Sequence, residues 1–370
     1  MIMRNIYIKN QHKTLTFENT IMSDNTYYTA EQHGEFEVYE LGDFVLEKGG
    51  TLRGATLAFT CYGHLNEAGD NAILFPVMFS GTHAAMAPYV GKDLALNPDE
   101  YFIVIPNQLG GGLSTSPHNT DGPYQSDYFP EITIGDDVKA QHQLLTEHLG
   151  VKHLQLVTGW SMGAQQTYEW AVRYRDMVER AAPIGGTAKT TPHCALYVDV
   201  FCQALMSDPA WNNGAYTQSS DVEQGLRRMA QVFAMMGVSP KLFNDELWAN
   251  YGFSSKEDFL KGFWENWFLP MDPNNLLCMA KKWQTGDVSA HRNGDLTEAL
   301  ASITAKMYII SFEQDMFITK EDCIKEQQMI YGSELISIPS VWGHFSMLGV
   351  STDDFQLINE SLKRLLATTA

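Results

Sequence analysis

No apolar run in this 370-residue chain approaches the ~18 residues a membrane-crossing helix needs, so no transmembrane helix is expected. Basic residues are scarce, 25 Lys and Arg against 44 Asp and Glu, for a net charge of −19. That balance argues against nucleic acid or an anionic membrane as partner, and its ordinary role is solubility. Cysteine is sparse and unpatterned. The five (Cys61, Cys194, Cys202, Cys278, Cys323) are odd in number, widely spaced and without a C-x-x-C. A disulfide framework and a zinc ribbon are thereby disfavoured; reduced thiols and a cytoplasmic location are expected. The opening M-I-M-R-N-I-Y-I-K-N holds no sustained apolar segment, so no secretory leader is expected. H-E-x-x-H is missing and the histidines are scattered, so no metal site is expected. The glycine-rich stretch N-Q-L-G-G-G-L-S-T-S-P (107–117) matches neither the P-loop nor the dinucleotide fingerprint. Close backbone packing beside a pocket is its expected role. No internal repeat or low-complexity tract stands out.

What is present is an alternation of strands and helices. Residues 1–35 are polar and read as an arm. From Phe36, F-E-V-Y-E-L and F-V-L-E suggest a hairpin region, followed by L-R-G-A-T-L-A-F-T-C-Y-G. The short apolar runs A-I-L-F-P-V-M-F (72–79) and Y-F-I-V-I-P (101–106) read as buried parallel strands. Helix is expected over 133–149, where Val138, Leu144, Leu145 and Leu149 share a side and Asp136 and Asp137 suit the N-terminal dipole. H-L-Q-L-V-T-G-W reads as strand, then helix from Ser161, then strand over 180–185. The core is expected over 36–188 and again over 303–370. Its second part holds a strand at 306–312, a helix at 319–331, a strand at 335–339 and a closing helix. Between them, 189–302 looks helical and rich in Met and aromatics, with turn signals S-D-P, N-N-G and V-S-P. The expected architecture is a doubly wound, mostly parallel α/β sheet with an inserted helical lid.

The chemistry centres on G-W-S-M-G, Gly159 to Gly163, at a strand-to-helix corner. There the chain turns so sharply that side chains two positions either side of the serine would collide. The turn lifts the Ser161 hydroxyl above the sheet, as a nucleophile requires. The helix begins at once, so the Met162 N–H is an expected oxyanion donor. A serine nucleophile needs a base and an orienting acid, which on such a sheet follow it in the order acid, then histidine. Downstream histidines are His193, His291 and His344. His193 comes too early and His291 lies in a polar turn of the insert. His344 follows the last short strand and is the expected base. For the acid, K-M-Y-I-I-S-F-E-Q-D-M-F offers Asp315, with Glu313 as fallback; Thr319 can cap the next helix itself. The second oxyanion donor should come from V-M-F-S-G-T-H, with Phe79 first and Ser80 next.

These stretches together resemble the homoserine O-acetyltransferase family of α/β-hydrolases, over 36–370. The resemblance rests on V-M-F-S-G-T-H, N-Q-L-G-G-G-L-S-T-S-P, T-I-G-D-D-V-K-A-Q-H-Q-L-L, G-W-S-M-G-A-Q-Q-T-Y-E-W-A-V-R-Y and the Asp315 and His344 segments. It implies a helical lid between the sixth and seventh strands, a homodimer formed through that lid, and an acetyl-serine intermediate. Two departures redirect the activity. The family's transferases carry Asp directly after the catalytic His, where this chain has Phe345, and an Arg in the lid, where it has Cys202. A zwitterionic acceptor stripped of both partners would cost several kcal/mol to bury. The expectation is a serine esterase acting on short-chain acetate esters such as ethyl acetate, with no cofactor, like the esterases this family includes. Trp160, Cys202 and Phe345 are expected at the substrate pocket. The lid aromatics Trp211, Phe233, Trp264, Trp267 and Phe268 should shape its entrance. The alternatives are an O-acyltransferase moving acetyl from acetyl-CoA to homoserine or another alcohol, and a non-catalytic binder.

Overall fold

A computed structural model describes residues 25–369. Most of the expected arm, 1–24, lies outside the described residues. The described strands form one eight-stranded sheet: β1 (Glu37–Val45), β2 (Thr51–Tyr62), β3 (Ala72–Leu74), β4 (Phe102–Pro106), β5 (Leu154–Trp160), β6 (Arg180–Ile184), β7 (Lys306–Phe312) and β8 (Glu334–Ile338). Their order is β1-β2-β4-β3-β5-β6-β7-β8. β1–β2 and β2–β4 are antiparallel; every pairing from β4 onward through β3 to β8 is parallel. The fold is thus an α/β-hydrolase sheet, mostly parallel. The middle strands are buried throughout or nearly so, which is why they read as unbroken apolar runs.

Two elements differ from their sequence reading. The run 72–79 is strand only as far as Leu74, because Pro76 offers no N–H to a ladder. Residues 75–79 lead straight to the loop beside the serine. The helix over 133–149 is α1 (Ile134–Gln143) followed by a π-helical turn (Leu144–His148). Its start is a capping box: Thr133 accepts from the Asp136 N–H, and Asp136 accepts from the Thr133 N–H.

α2 (Met162–Arg173) follows β5 directly and is buried along nearly its whole length. Beyond β6 the chain leaves the sheet. It forms α3 (Pro192–Met206), α4 (Glu223–Gly237), a π-helical turn (Leu260–Glu265) and α5 (Pro273–Gln284), among shorter helices. The base of this lid is pinched where Thr190 N–H donates to Gly286 O (2.9 Å) and Val288 N–H to Ala188 O (3.1 Å). The neck therefore closes at 286–288. The helix Leu296–Ala301 lies beyond it, on the way back to β7. α6 (Lys320–Gln327) and α7 (Thr352–Leu366) complete the core. No helix among the described residues is long and apolar enough to cross a membrane.

Candidate active site

Ser161 sits at the corner between β5 and α2 with φ 58° and ψ −117°, a strained conformation for a residue with a side chain. Its N–H still donates to Ile184 O (2.9 Å), so the ladder to β6 holds the corner in place. The flanking glycines are there for space. A Cβ on Gly159 would lie 2.4 Å from Gly163 O, and one on Gly163 would lie 2.4 Å from Pro76 O.

His344 stands in a 3₁₀ turn (Gly343–Leu348) after β8, and Asp315 in the loop after β7. His344 Nε2 is 2.8 Å from Ser161 Oγ, and Nδ1 is 2.7 Å from Asp315 Oδ2. With the imidazole proton on Nδ1, as the carboxylate requires, Nε2 is free to accept the serine hydroxyl. Asp315 is itself fixed: its Oδ1 accepts the N–H groups of Phe317 (2.8 Å) and Ile318 (2.9 Å). All three side chains are almost out of solvent, at 6%, 3% and 5% exposure for Ser161, His344 and Asp315. Glu313 points outward and pairs with Lys320 (3.0 Å), and Thr319 caps α6, leaving Asp315 to the histidine. His193 is exposed, and His291 pairs with Glu169 (3.5 Å) far from the serine's partners.

Among the described residues the Phe79 and Met162 N–H groups have no hydrogen-bond acceptor, although both residues are buried. Buried amides without acceptors beside a nucleophile suit an oxyanion. The loop carrying Phe79 is held from behind by Gln108, whose Nε2 donates to Val77 O (2.6 Å) and Met78 O (3.3 Å). Sequence reasoning gave the 107–117 loop only a packing role and missed this residue. Its polar side chain in an otherwise glycine-rich stretch was the available signal.

A cavity of ≈ 20 Å³ lies at Ser161, about the space one ordered water needs. Besides Ser161 and His344 its wall is Met78, Phe79, Ser80, Trp160, Phe233, Trp267, Trp283, Phe317 and Phe345. Trp160 and Phe345 are among these. Cys202, half-buried on α3, does not line the cavity, and its expected place at the pocket is corrected. Burial pushes its thiol up to about 12. Of the lid aromatics, Phe233 and Trp267 reach the cavity. Trp264 packs edge-on against Phe345 (4.7 Å between ring centres), and Phe268 packs on Phe233 (4.8 Å). Trp211 hydrogen-bonds Asn274 (3.3 Å) and is not on the wall. Trp283 and Phe317 were not foreseen. Phe345 fills a space that Gly237 leaves open, since a Cβ there would lie 2.4 Å from the phenylalanine ring and 2.8 Å from Trp264. Among the described residues no Lys, Arg, Asp or Glu lines the cavity.

Comparison with known proteins agrees with this geometry. A family model described as the alpha/beta hydrolase fold matches residues 79–235. An ethyl acetate hydrolase of Pseudomonas veronii is 46% identical over 94% of this chain and 99% of its own. The crystal structure of an acetylester hydrolase from Corynebacterium glutamicum superposes with a TM-score of 0.92 at 45% identity, covering 94% of this chain and all of the other. More distantly, a homoserine O-acetyltransferase of Methanococcus vannielii is 29% identical over 89% of this chain and 73% of its own.

Proposed function

The chain belongs to the α/β-hydrolases, in the group that holds ethyl acetate hydrolase and, further off, the homoserine O-acetyltransferases, and from that premise we propose that it hydrolyses short-chain acetate esters through Ser161, His344 and Asp315. The observation that carries the reading is the pairing of an aligned Ser–His–Asp relay with a small, uncharged, aromatic cavity. A short acyl group suits such walls; an amino acid zwitterion would find no counter-charge there.

His344 Nε2 takes the Ser161 proton as Oγ attacks the ester carbonyl. The Phe79 and Met162 amides receive the oxyanion, and the α2 dipole supports it. The imidazolium, stabilised by Asp315, then protonates the departing alcohol. Water enters, gives its proton to His344 and attacks the acetyl-serine; collapse releases acetate and returns the proton to Ser161. These steps use only side chains, backbone and water. Trp160 (5.6 Å) and Phe317 (4.6 Å between ring centres) flank the imidazole and keep bulk water from it.

Reduced thiols and the lack of a membrane-crossing helix among the described residues support a cytoplasmic site of action. Leu196, Val200 and Met235, at 61%, 46% and 64% exposure on α3 and α4, support a homodimer through the lid. Light scattering on Leu196→Glu tests that part: a monomer is expected.

For the activity, purified protein is given ethyl acetate alone and acetyl-CoA with homoserine in parallel. Acetate release from the ester, with no acetylhomoserine formed, is expected. Acetylhomoserine formation far above hydrolysis would overturn the reading in favour of a transferase.

A further inference from the structure

Of the eleven residues around the cavity nine are buried, Ser161 among them at 6% exposure, and the two more exposed ones are Ser80 and Trp267. Those two are bonded to each other: Trp267 Nε1–H, from the lid, donates to Ser80 Oγ, from the core loop, at 3.0 Å. This bond joins lid to core at the more exposed part of the cavity wall. The cavity is open to solvent on one side, but the space directly at Ser161 is narrow, about that of one water. An ester seated against the serine needs more room, so part of the wall has to shift.

The buried rings are poor candidates for that movement. Phe79, Phe233, Trp283, Phe317 and Phe345 interlock in aromatic pairs. Trp267 makes no aromatic pair among the described residues. It lies two residues past the π-helical turn Leu260–Glu265, and such turns are looser than α-helix and recur at functional sites. Ser80 has φ 58°, next to the oxyanion donor Phe79 in a turn closed by Gly81 N–H to Met78 O (3.2 Å). Glycine would hold that conformation without strain. A serine there gains the acceptor that Trp267 uses.

The order of the chemical steps tells which part of the ester meets this gate. The alcohol leaves while the acyl group is still bonded to Ser161, and water must then enter from solvent. The alcohol part therefore faces the mouth, and the acyl part faces the buried rings. We propose that the Trp267–Ser80 hydrogen bond is the gate of the catalytic cavity and that the Trp267 ring sets the size of alcohol accepted, independently of the acyl group.

This rests on the esterase reading, and the experiment separates the two. Methyl, butyl and benzyl acetate form one series; methyl acetate, butyrate and hexanoate form the other. Trp267→Ala is expected to raise the benzyl-to-methyl acetate ratio of kcat/KM by ~10-fold or more, about 1.4 kcal/mol, while the acyl series keeps its order. Trp267→Phe, with the ring but no donor, should speed inactivation by diethyl p-nitrophenyl phosphate several-fold, and Ser80→Ala should do the same. Circular dichroism and thermal melts check folding, and Trp267→Leu replaces the alanine variant where that one does not fold. An unchanged alcohol ratio in a folded variant, or a shift in the acyl series instead, overturns the gate and leaves the esterase reading standing. Turnover that survives Ser161→Ala overturns both.

Discussion

His344 and Asp315 meet above the ends of the strands; Lys282 and Asp137 meet at the seam where α5 of the lid lies against α1 of the core. Both pairs are nearly free of solvent, and Lys282 and Asp137 are wholly so. Both join residues far apart in sequence. They differ in what lies beyond the pair. Lys282 Nζ, besides its ion pair, donates to Leu109 O (2.8 Å), and Asp137 Oδ1 accepts the Leu109 N–H (2.9 Å), so the ring closes on backbone. Burial pushes the Asp137 carboxyl up and Lys282 pulls it back. His344 instead ends on a hydroxyl beside a cavity. A buried acid–base pair is thus chemical or structural according to its open end, and the second pair clasps the lid to the core.

The sharpest division comes from removing one atom at the open end. Ser161→Ala should lower kcat for ethyl acetate by ~10⁶-fold, with the urea midpoint nearly unmoved. Lys282→Met should do the reverse: stability falls by about 3–5 kcal/mol, because Asp137 is left buried without its cation, and kcat of the folded fraction falls far less than for Ser161→Ala. Pairing it with Asp137→Leu should restore roughly half of that loss in urea denaturation. A double variant no more stable than Lys282→Met would break the comparison. Asp315 tests its edge, since it both orients His344 and caps two backbone N–H groups. Asp315→Ala should cost about 1–3 kcal/mol of stability as well as activity.

A further test concerns a third buried carboxyl, Glu326, which pairs with no cation among the described residues. Its oxygens accept the Ala188 N–H (2.9 Å) at the lid's neck. Burial raises its pKa from 4.5 to about 8. A carboxyl raised by folding stabilises most below its unfolded pKa and loses that contribution as pH climbs to the folded one. Stability from this group should therefore decline between about pH 4.5 and 8, and Glu326→Gln should flatten that slope in melts taken across the range.

The same contrast explains what the sequence disclosed. The elbow was legible because Gly159 and Gly163 are dictated by local sterics, and His344 because strand order leaves one suitable loop. Asp315 was separable from Glu313 by its place before Met316 and Phe317, the latter buried. The lid resisted. Periodicity says that α3 and α4 have apolar faces, but not which ring of a face meets which loop. So Trp283 and Phe317 were missed, and Cys202 was set on a wall that it does not reach. The Lys282–Asp137 clasp was invisible because its partners lie 145 positions apart, each ordinary in its own helix.

Phe345 ties this packing to the choice of acceptor. Its ring occupies room that exists because position 237 is glycine, and it leans on Trp264 and Trp160. Aspartate at 345 alone would empty that room and set a carboxylate among indoles, with no cation on the wall to meet it. That one exchange therefore combines a void with a buried unpaired charge, and each destabilises on its own. The ring of Phe345 thus holds the cavity in the apolar state that suits an ester better than a charged acceptor.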